Sequence, residues 1–388
     1  MPYRICIATS TRADWGLLTP LAGALRDNPQ VELQIVATNM HLSERCGMTV
    51  HEITDAGFTV DARVPMEAAG DSAADRVRAM AQCLAGTAEA FERLRPDVVI
   101  ILGDRYEMLA VASAAAMMRI PIIHIAGGTV SEGAVDDSIR HAITKLASLH
   151  LAETDEARRR IVQMGEDPAR VVATGALGVW NIMNQPLLSK AELEKSLGGF
   201  TLDPESTLLV TYHPATLDNG DPAARFNELL GALDMFPRSK VLLTHPNNDA
   251  GGEAIAALVE DYARANPDRV RAVTSLGMLR YLSSLRNVAA VVGNSSSGIV
   301  EVPSMHIPTV DVGIRQKGRL CSASVIHCAD DCESITEAIA TALSSEGRRQ
   351  AREASNPYYR PDTVALMVRT ILDFMPRRNV TKRFNNLK

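Results

Sequence analysis

The residues with the clearest chemical potential lie in Val291–Pro303, VVGNSSSGIVEVP, where an apolar run stops at a Gly-Asn-Ser-Ser-Ser-Gly turn and a helix is expected to begin. Three hydroxyls, from Ser295, Ser296 and Ser297, join the open backbone N–H groups of a helix start, where the positive end of the dipole favours a phosphate. Gly298 lets the backbone come close to such a ligand, and Glu301, about a helical turn on, can accept hydrogen bonds from sugar hydroxyls beside it. The plain alternative is a strand-to-helix turn with a serine cap. Three consecutive serines between glycines favour a ligand, and the chemistry implied is recognition of a nucleotide sugar or another diphosphate.

Further candidates follow other apolar runs. Thr9-Ser10-Thr11-Arg12 puts a cation at a helix start, a costly position unless Arg12 clamps a phosphate. Gly103-Asp104-Arg105-Tyr106-Glu107 follows VVIIL; Asp104 is either the N-cap of the next helix or, beside Arg105, a base or hydroxyl ligand. In His124-Ile125-Ala126-Gly127-Gly128-Thr129 the two glycines permit close approach to a ligand. Asp136 and Arg140 are four apart, as are Asp137 and His141, so each pair shares a helix face. Tyr212-His213-Pro214 and Thr244-His245-Pro246-Asn247 end two later runs, each His held extended by the following Pro. His213 is read as a general acid or charge stabiliser for a leaving phosphate, and His245 and Asn247 as substrate contacts. No third ligand accompanies these histidines, so no metal is expected.

Positioning these residues takes a parallel sheet with covering helices. Short aliphatic runs alternate with longer amphipathic ones, which predicts an α/β fold of two doubly wound Rossmann-like domains facing a central cleft. Strands are expected at Arg4–Thr9, Val31–Thr38, Asp97–Leu102, Ile120–Ile125, His150–Glu153 and Val171–Thr174, then at Thr207–Tyr212, Lys240–Thr244, Val270–Ser275, Val288–Val292 and Pro308–Val310. Asn181–Ser206, with Pro186, Gly198, Gly199 and Pro204, reads as a connection. The expected domains are therefore residues 1–185 and 205–358, with 359–388 forming a C-terminal helix that packs back on the first. A chain of 388 residues suits two cores better than one.

Composition narrows the function classes. The net charge of −6, with mixed signs throughout, argues against nucleic acid or a membrane surface as partner. No apolar run reaches membrane-spanning length and the N-terminus lacks a signal-peptide layout, so a cytoplasmic location is expected. The six cysteines are scattered without a C-x-x-C pair, which indicates neither zinc nor disulfides. The absence of G-x-G-x-x-G disfavours a dinucleotide cofactor.

Taken together, S-T-R-A-D-W-G-L, G-D-R-Y-E-M-L, D-D-S-I-R-H-A-I-T-K, G-N-S-S-S-G-I-V-E-V-P and R-Q-K-G-R resemble the hydrolysing UDP-N-acetylglucosamine 2-epimerases, in family order from Ile5 to about Arg319. The similarity is greatest to the sialic-acid and legionaminic-acid branch. It implies a GT-B-like two-domain fold, a UDP-sugar substrate, no metal or nicotinamide, and a homodimer or homotetramer. It also implies a two-step reaction in which a base removes the C2 proton as UDP leaves C1, after which water adds to the glycal. Carried over by motif, the diphosphate contacts are Arg12, Ser295 and Ser296, the ribose ligand Glu301, and the cleft histidine His213. The catalytic acids are Asp104 and Asp136 with Arg140 beside them, and the R-Q-K-G-R motif adds Arg315 as a substrate contact.

One departure stands out. Family members commonly carry a glutamate just before or just after the paired glycines, where this chain has Ala126 and Thr129. Glu132 is expected to substitute from the following loop. Two other readings remain: a glycosyltransferase of the same architecture, which would leave the acids without a task, and a nucleotide-sugar binding protein that has lost turnover. UDP-N-acetylglucosamine is the first substrate expected and UDP-2,4-diacetamido-2,4,6-trideoxyglucose the second.

Overall fold

The computed structural model describes residues 1–67, 70, 72–132, 135–214, 220–246 and 251–386. In chain order, β1 Tyr3–Thr9, α1 Arg12–Arg26, β2 Val31–Thr38, α2 Val50–Asp55, β3 Ala62–Val64, α3 Ala73–Leu94, β4 Val98–Leu102 and α4 Tyr106–Met117 come first. They are followed by β5 Ile122–Ile125, α5 Asp136–Leu146, β6 Leu149–Ala152, α6 Asp155–Gln163, β7 Val171–Ala173 and α7 Leu177–Asn184. A second series runs α8 Lys190–Ser196, β8 Leu208–Thr211, α9 Pro222–Asp234, β9 Val241–Thr244, α10 Gly252–Ala265, β10 Val270–Val273, α11 Gly277–Leu285, β11 Ala290–Gly293 and α12 Ser296–Val300. The chain closes with β12 Thr309–Val312, β13 Val325–Cys328, α13 Cys332–Leu343, α14 Ser345–Glu353 and α15 Thr363–Phe374.

Of the described residues, those within Met1–Thr129, Asp136–Asn181 and Arg360–Lys388 form one unit, and those within Val130–Val135 and Ile182–Tyr359 a second. The first unit holds a seven-stranded sheet in the order β3-β2-β1-β4-β5-β6-β7, the second a six-stranded sheet in the order β10-β9-β8-β11-β12-β13. The strand pairs are parallel throughout. These are the doubly wound α/β units that the alternation of aliphatic and amphipathic runs predicts.

Burial on both faces explains why the strands read as unbroken apolar runs. Ile5, Ile7, Val98, Ile100 and Leu102 enter a core shared with α1 and α15, whereas the alternate residues Cys6, Ala8, Val99 and Ile101 face α3 and α4. In the second unit Leu208, Val210 and Leu243 pack under α9 and α13, and Leu209 and Leu242 pack on the opposite side.

That opposite side corrects one expectation. The stretch Asn181–Ser206 is not a bare connection, because Ile182, Leu193, Leu197, Phe200 and Leu202 are buried against Leu209, Leu242 and Leu285. Its glycines and prolines punctuate a short helix, α8, started by a Ser189/Glu192 capping box. Two edge strands, β3 and β13, were also absent from the sequence reading, being three or four residues long and, in β13, incompletely buried.

Each sheet reverses its winding once, between β1 and β4 and between β8 and β11. Helices diverge to opposite faces at such a point, leaving room for ligands beyond the carboxyl ends of the two strands. The turns after β1 and β4 carry Arg12, Asp104 and Arg105, and those after β8 and β11 carry His213 and the serines. Gly293 is required where β11 meets β8: it has φ +136°, and a Cβ there would fall on the Thr211 carbonyl oxygen. Among the described residues, no helix is long and apolar enough to cross a membrane.

Candidate functional site

In the first unit the site is organised by Arg140, on α5, whose side chain is 1% exposed. Its Nη2 donates to Asp104 Oδ2, and its Nη1 donates to Asp137 Oδ1 at 3.1 Å and to the Thr129 carbonyl at 3.0 Å. Asp104 is thus not the cap of α4. That position belongs to Arg105, which makes no side-chain cap bond. A charged guanidinium is tolerable at this depth only because two carboxylates and a carbonyl surround it. Asp137 pairs with Arg140 and, as its spacing predicts, with His141 at 3.5 Å. Asp136 opens α5 and is half-buried.

The turn beneath Asp104 is braced by His124. One ring nitrogen donates to the Gly103 carbonyl oxygen at 2.8 Å and the other lies 3.2 Å from Thr144 Oγ1, which is itself 2.9 Å from the Arg140 carbonyl oxygen. Burial lowers the His124 pKa to about 3, so the ring is neutral. The paired glycines serve close packing here. A Cβ on Gly127 would meet His124 and Thr144 at 2.8 Å, and one on Gly128 the Ala157 carbonyl at 2.5 Å. Ala126, where a glutamate is usual, sits at φ +63°, and Thr129 Oγ1 reaches back to its carbonyl at 3.4 Å.

Beside β1, Thr11 and Asp14 form a capping box that starts α1 at Arg12. Arg12 faces Glu52 at 3.7 Å with both side chains well exposed, a contact of little energetic weight. Arg105 turns inward instead and donates to Glu107 Oε1 at 2.6 Å, Glu107 being completely buried. Burial pushes the Glu107 pKa upward, but the charge and hydrogen bond of Arg105 outweigh it and leave it below its ordinary value. For Asp14 burial prevails, and the neighbouring Glu107 adds to the rise. Sequence reasoning did not single out Asp14 or Glu107, although both lie inside the quoted motifs, and it read Asp137 only as the helical partner of His141.

In the second unit the organising residue is Asn294, 1% exposed. Its Oδ1 accepts from the His213 backbone N–H at 2.7 Å and its Nδ2 donates to the His213 carbonyl at 2.8 Å. Its own carbonyl accepts from Arg315 Nη1 at 3.1 Å and Gln316 Nε2 at 2.9 Å. One amide therefore joins the turn after β8, the turn after β11 and the loop after β12. Neither Asn294 nor Gln316 was singled out by sequence, since neither side chain is reactive.

Ser295 caps α12 and Ser296 begins it; the Ser297 N–H points to Ser295 Oγ, and the buried Ser297 Oγ makes no hydrogen bond. Gly298 lets Thr309 pack at a distance a Cβ would violate, and Glu301 ends the helix half-buried. Burial, reinforced by the Arg315 charge, lowers the His213 pKa to about 3. The His245 ring pairs with Glu260 at 2.7 Å. Asn247 lies outside the described residues. Glu132 is exposed and faces Lys317 at 3.4 Å, and its backbone N–H donates to the Lys317 carbonyl at 3.1 Å.

Comparison with known proteins bears on what such an arrangement does. Residues 23–372 match the family model described as UDP-N-acetylglucosamine 2-epimerase. The chain is similar to a GDP/UDP-N,N'-diacetylbacillosamine 2-epimerase (hydrolyzing) of Campylobacter jejuni, with 39% identity over 83% of both chains. It is similar to a UDP-N-acetylglucosamine 2-epimerase of Neisseria meningitidis, with 32% identity over 91% of this chain and 90% of the other. In fold it resembles the Methanocaldococcus jannaschii UDP-GlcNAc 2-epimerase solved with UDP-GlcNAc and UDP, at a TM-score of 0.77 and 16% identity, covering 96% of this chain and 99% of that one.

Two predictions follow from this geometry. His41, at about 4, His124 and His213, both at about 3, are neutral when folded but titrate near 6.5 when unfolded. The unfolded state therefore binds more protons, and stability, complete above about pH 6.5, is lost as pH falls toward 4. Urea midpoints measured between pH 7.5 and 4.5 should fall continuously, and less steeply in His124→Asn; a flat profile would contradict the neutral histidines. Asn294→Ala should cost about 2–4 kcal/mol, because it leaves the His213 backbone groups buried without partners. Denaturant unfolding at pH 7.5 measures this, and a loss under about 0.5 kcal/mol would show that the clamp is unimportant.

Proposed function

The chain belongs to the UDP-N-acetylglucosamine 2-epimerase family, and from that membership we propose how it works and on what. It is an enzyme of the hydrolysing UDP-sugar 2-epimerase class. In our reading the second unit receives the nucleotide diphosphate and the first supplies the base and acid. The observation that carries this reading is the buried Arg140 holding Asp104, since it fixes a carboxyl group where a ligand-binding crevice is expected.

Asp104, or Asp136 beside it on α5, takes the proton from C2 of the sugar while the C1–O bond to UDP breaks, leaving a C1=C2 double bond. Water then adds its oxygen to C1, and C2 regains a proton on the opposite face. The departing diphosphate gains negative charge, which the N–H groups at Ser295–Ser297 and the cations Arg12 and Arg315 offset. Glu301 takes the ribose hydroxyls. His213 starts neutral, and an arriving phosphate dianion counters Arg315 and raises the ring's proton affinity, so it becomes a donor to the leaving oxygen. Arg105, His245 and Asn247 complete the proposed substrate contacts. Glu132 stands in for the glutamate absent at Ala126 and Thr129.

The higher identity, 39% against 32%, favours the diacetylbacillosamine-type sugar as substrate and puts UDP-N-acetylglucosamine second. The setting proposed is cytoplasmic synthesis of sialic- or legionaminic-type acids by a dimer or tetramer.

Each UDP-sugar, incubated alone with the enzyme and followed by NMR, should yield UDP and a free 2-epimer with no acceptor, faster for the diacetamido sugar. Asp104→Asn should lower kcat about 10²- to 10⁴-fold. Release of product only when an acceptor is added would mark a glycosyltransferase, and tight UDP binding without turnover a binding protein. Glu132→Gln is expected to lower kcat by about tenfold or more with little change in UDP affinity. Wild-type turnover in that variant would remove Glu132 from the reaction.

A further inference from the structure

A lysine that the reaction above does not use holds the far end of the helix on which Asp136 and Arg140 lie. Residues 379–386, which follow α15, lie along the first unit without helix or strand. Asn379 Oδ1 accepts from Arg170 Nη2 at 3.3 Å, and the Asn385 N–H donates to the Gly165 carbonyl at 2.8 Å. Between these two contacts Lys382 turns inward. Its Nζ donates to Glu166 Oε1 and Oε2 at 2.9 and 2.8 Å, and to the carbonyls of Lys145 and Ala147 at 2.5 and 2.8 Å. The Glu166 side chain is 4% exposed and that of Lys382 21%.

These oxygens make a seat for a cation. Lys145 lies in the last turn of α5 and Ala147 just past its end, so their carbonyls stand at the negative pole of the helix, where the helical pattern supplies no partner. Glu166 is charged: burial raises its pKa, but hydrogen bonds from His150, Lys145 and Lys382 outweigh that and hold it at about 2. Lys145 Nζ reaches Glu166 Oε1 at 2.5 Å and His150 Nε2 lies 3.1 Å from Oε2, so the carboxylate keeps partners when Lys382 is removed. The loss then falls on the end of α5.

We propose that Lys382 is a positioning residue, a tethered cation that seats the last turn of α5 and thereby fixes Asp136, Asp137 and Arg140 toward the start of the same helix. The proposal rests on the reading that places acid and base in this unit. α5 is a single helix of 11 residues, so it moves as a rod, and freedom at one end becomes displacement at the other. A second path runs through the sheet. His150, beside Glu166, stands opposite His124 in the pairing of β5 with β6, and the His124 ring braces the Gly103 turn beneath Asp104. If Lys382 served only to tie down its own segment, its removal would leave turnover as it is.

Lys382→Ala, assayed with whichever UDP-sugar the wild type turns over, should lower kcat about tenfold with little change in KM, because the diphosphate is received by the second unit. Propylammonium replaces the deleted atoms and their three donors, and should restore most of the loss. Tetramethylammonium, charged but without an N–H, should not. Hydrogen exchange needs no turnover and reads the seat directly: peptides covering Ile143–Ala147 should exchange about tenfold faster in Lys382→Ala and slow again with propylammonium. Unchanged exchange in β8 and β11 reports that the variant is folded; should it not be, Lys382→Met, which keeps the apolar stem, takes its place in both measurements. A wild type that turns over no UDP-sugar would defeat the functional reading and with it the link to kcat, whereas exchange alone decides the seat. Wild-type kcat in the folded variant, unchanged exchange at the end of α5, or a loss in Lys382→Ala that propylammonium leaves in place would each overturn the proposal.

Discussion

A guanidinium almost wholly withdrawn from water must be neutralised where it lies, and much of the first unit is arranged around meeting that demand for Arg140. Asp104 at the end of β4, Asp137 in the first turn of α5 and the carbonyl of Thr129 converge on it from three separate pieces of chain. The consequence runs in both directions. Arg140 fixes α5 against the β4 turn, and the turn in exchange receives a carboxylate whose charge and direction are set before any ligand arrives. His124 and Thr144 continue the arrangement beneath, which is why Gly127 has no room for a side chain, and Gly128 is confined in its turn by Ala157 and Ile161.

The second unit solves the same positioning problem without charge. Asn294 satisfies both backbone groups of His213 and offers its own carbonyl to Arg315 and Gln316. A side-chain amide suits the pairing with His213 because it donates and accepts at once, and because it adds no charge there. Burial, with the charge of Arg315, keeps the His213 ring neutral.

The sequence disclosed most where one physical rule acted alone. Strands buried on both faces read as aliphatic runs, so β1, β4, β8 and β11 and the turns after them were legible from Ile5, Val99, Leu209 and Val292 and their neighbours. The stretch around Leu193, Leu197 and Phe200 was less legible, because its apolar residues are spaced by capping and turn residues and find partners such as Leu242 and Leu285 further along the chain. Asp104 illustrates the same limit within the site. Local pattern left it equally a cap or a ligand, and what decides is a partner 36 residues away. Asn294 and Gln316 carry no chemical signature at all, and only the fold shows Asn294 bound to the His213 backbone and Gln316 to the Asn294 carbonyl.

The carboxylates around Arg105 show why residue type alone could not assign roles. Glu107 is completely buried yet ionised, because Arg105 bonds it at 2.6 Å. Asp14, within the field of the same arginine, is shifted the other way, because burial and the charge already placed on Glu107 prevail. One cation cannot fully compensate two carboxylates, so the directly bonded one takes the charge and the other is left readier to hold a proton. A chain that lacks the family's usual glutamate at Ala126 and Thr129 thus keeps a protonatable acid beside β1. Its Ser10 and Thr11 hydrogen bonds tie that acid to the start of the helix bearing Arg12. A change in the first turn of α1 therefore disturbs the placement of Arg12 and the surroundings of Asp14 together.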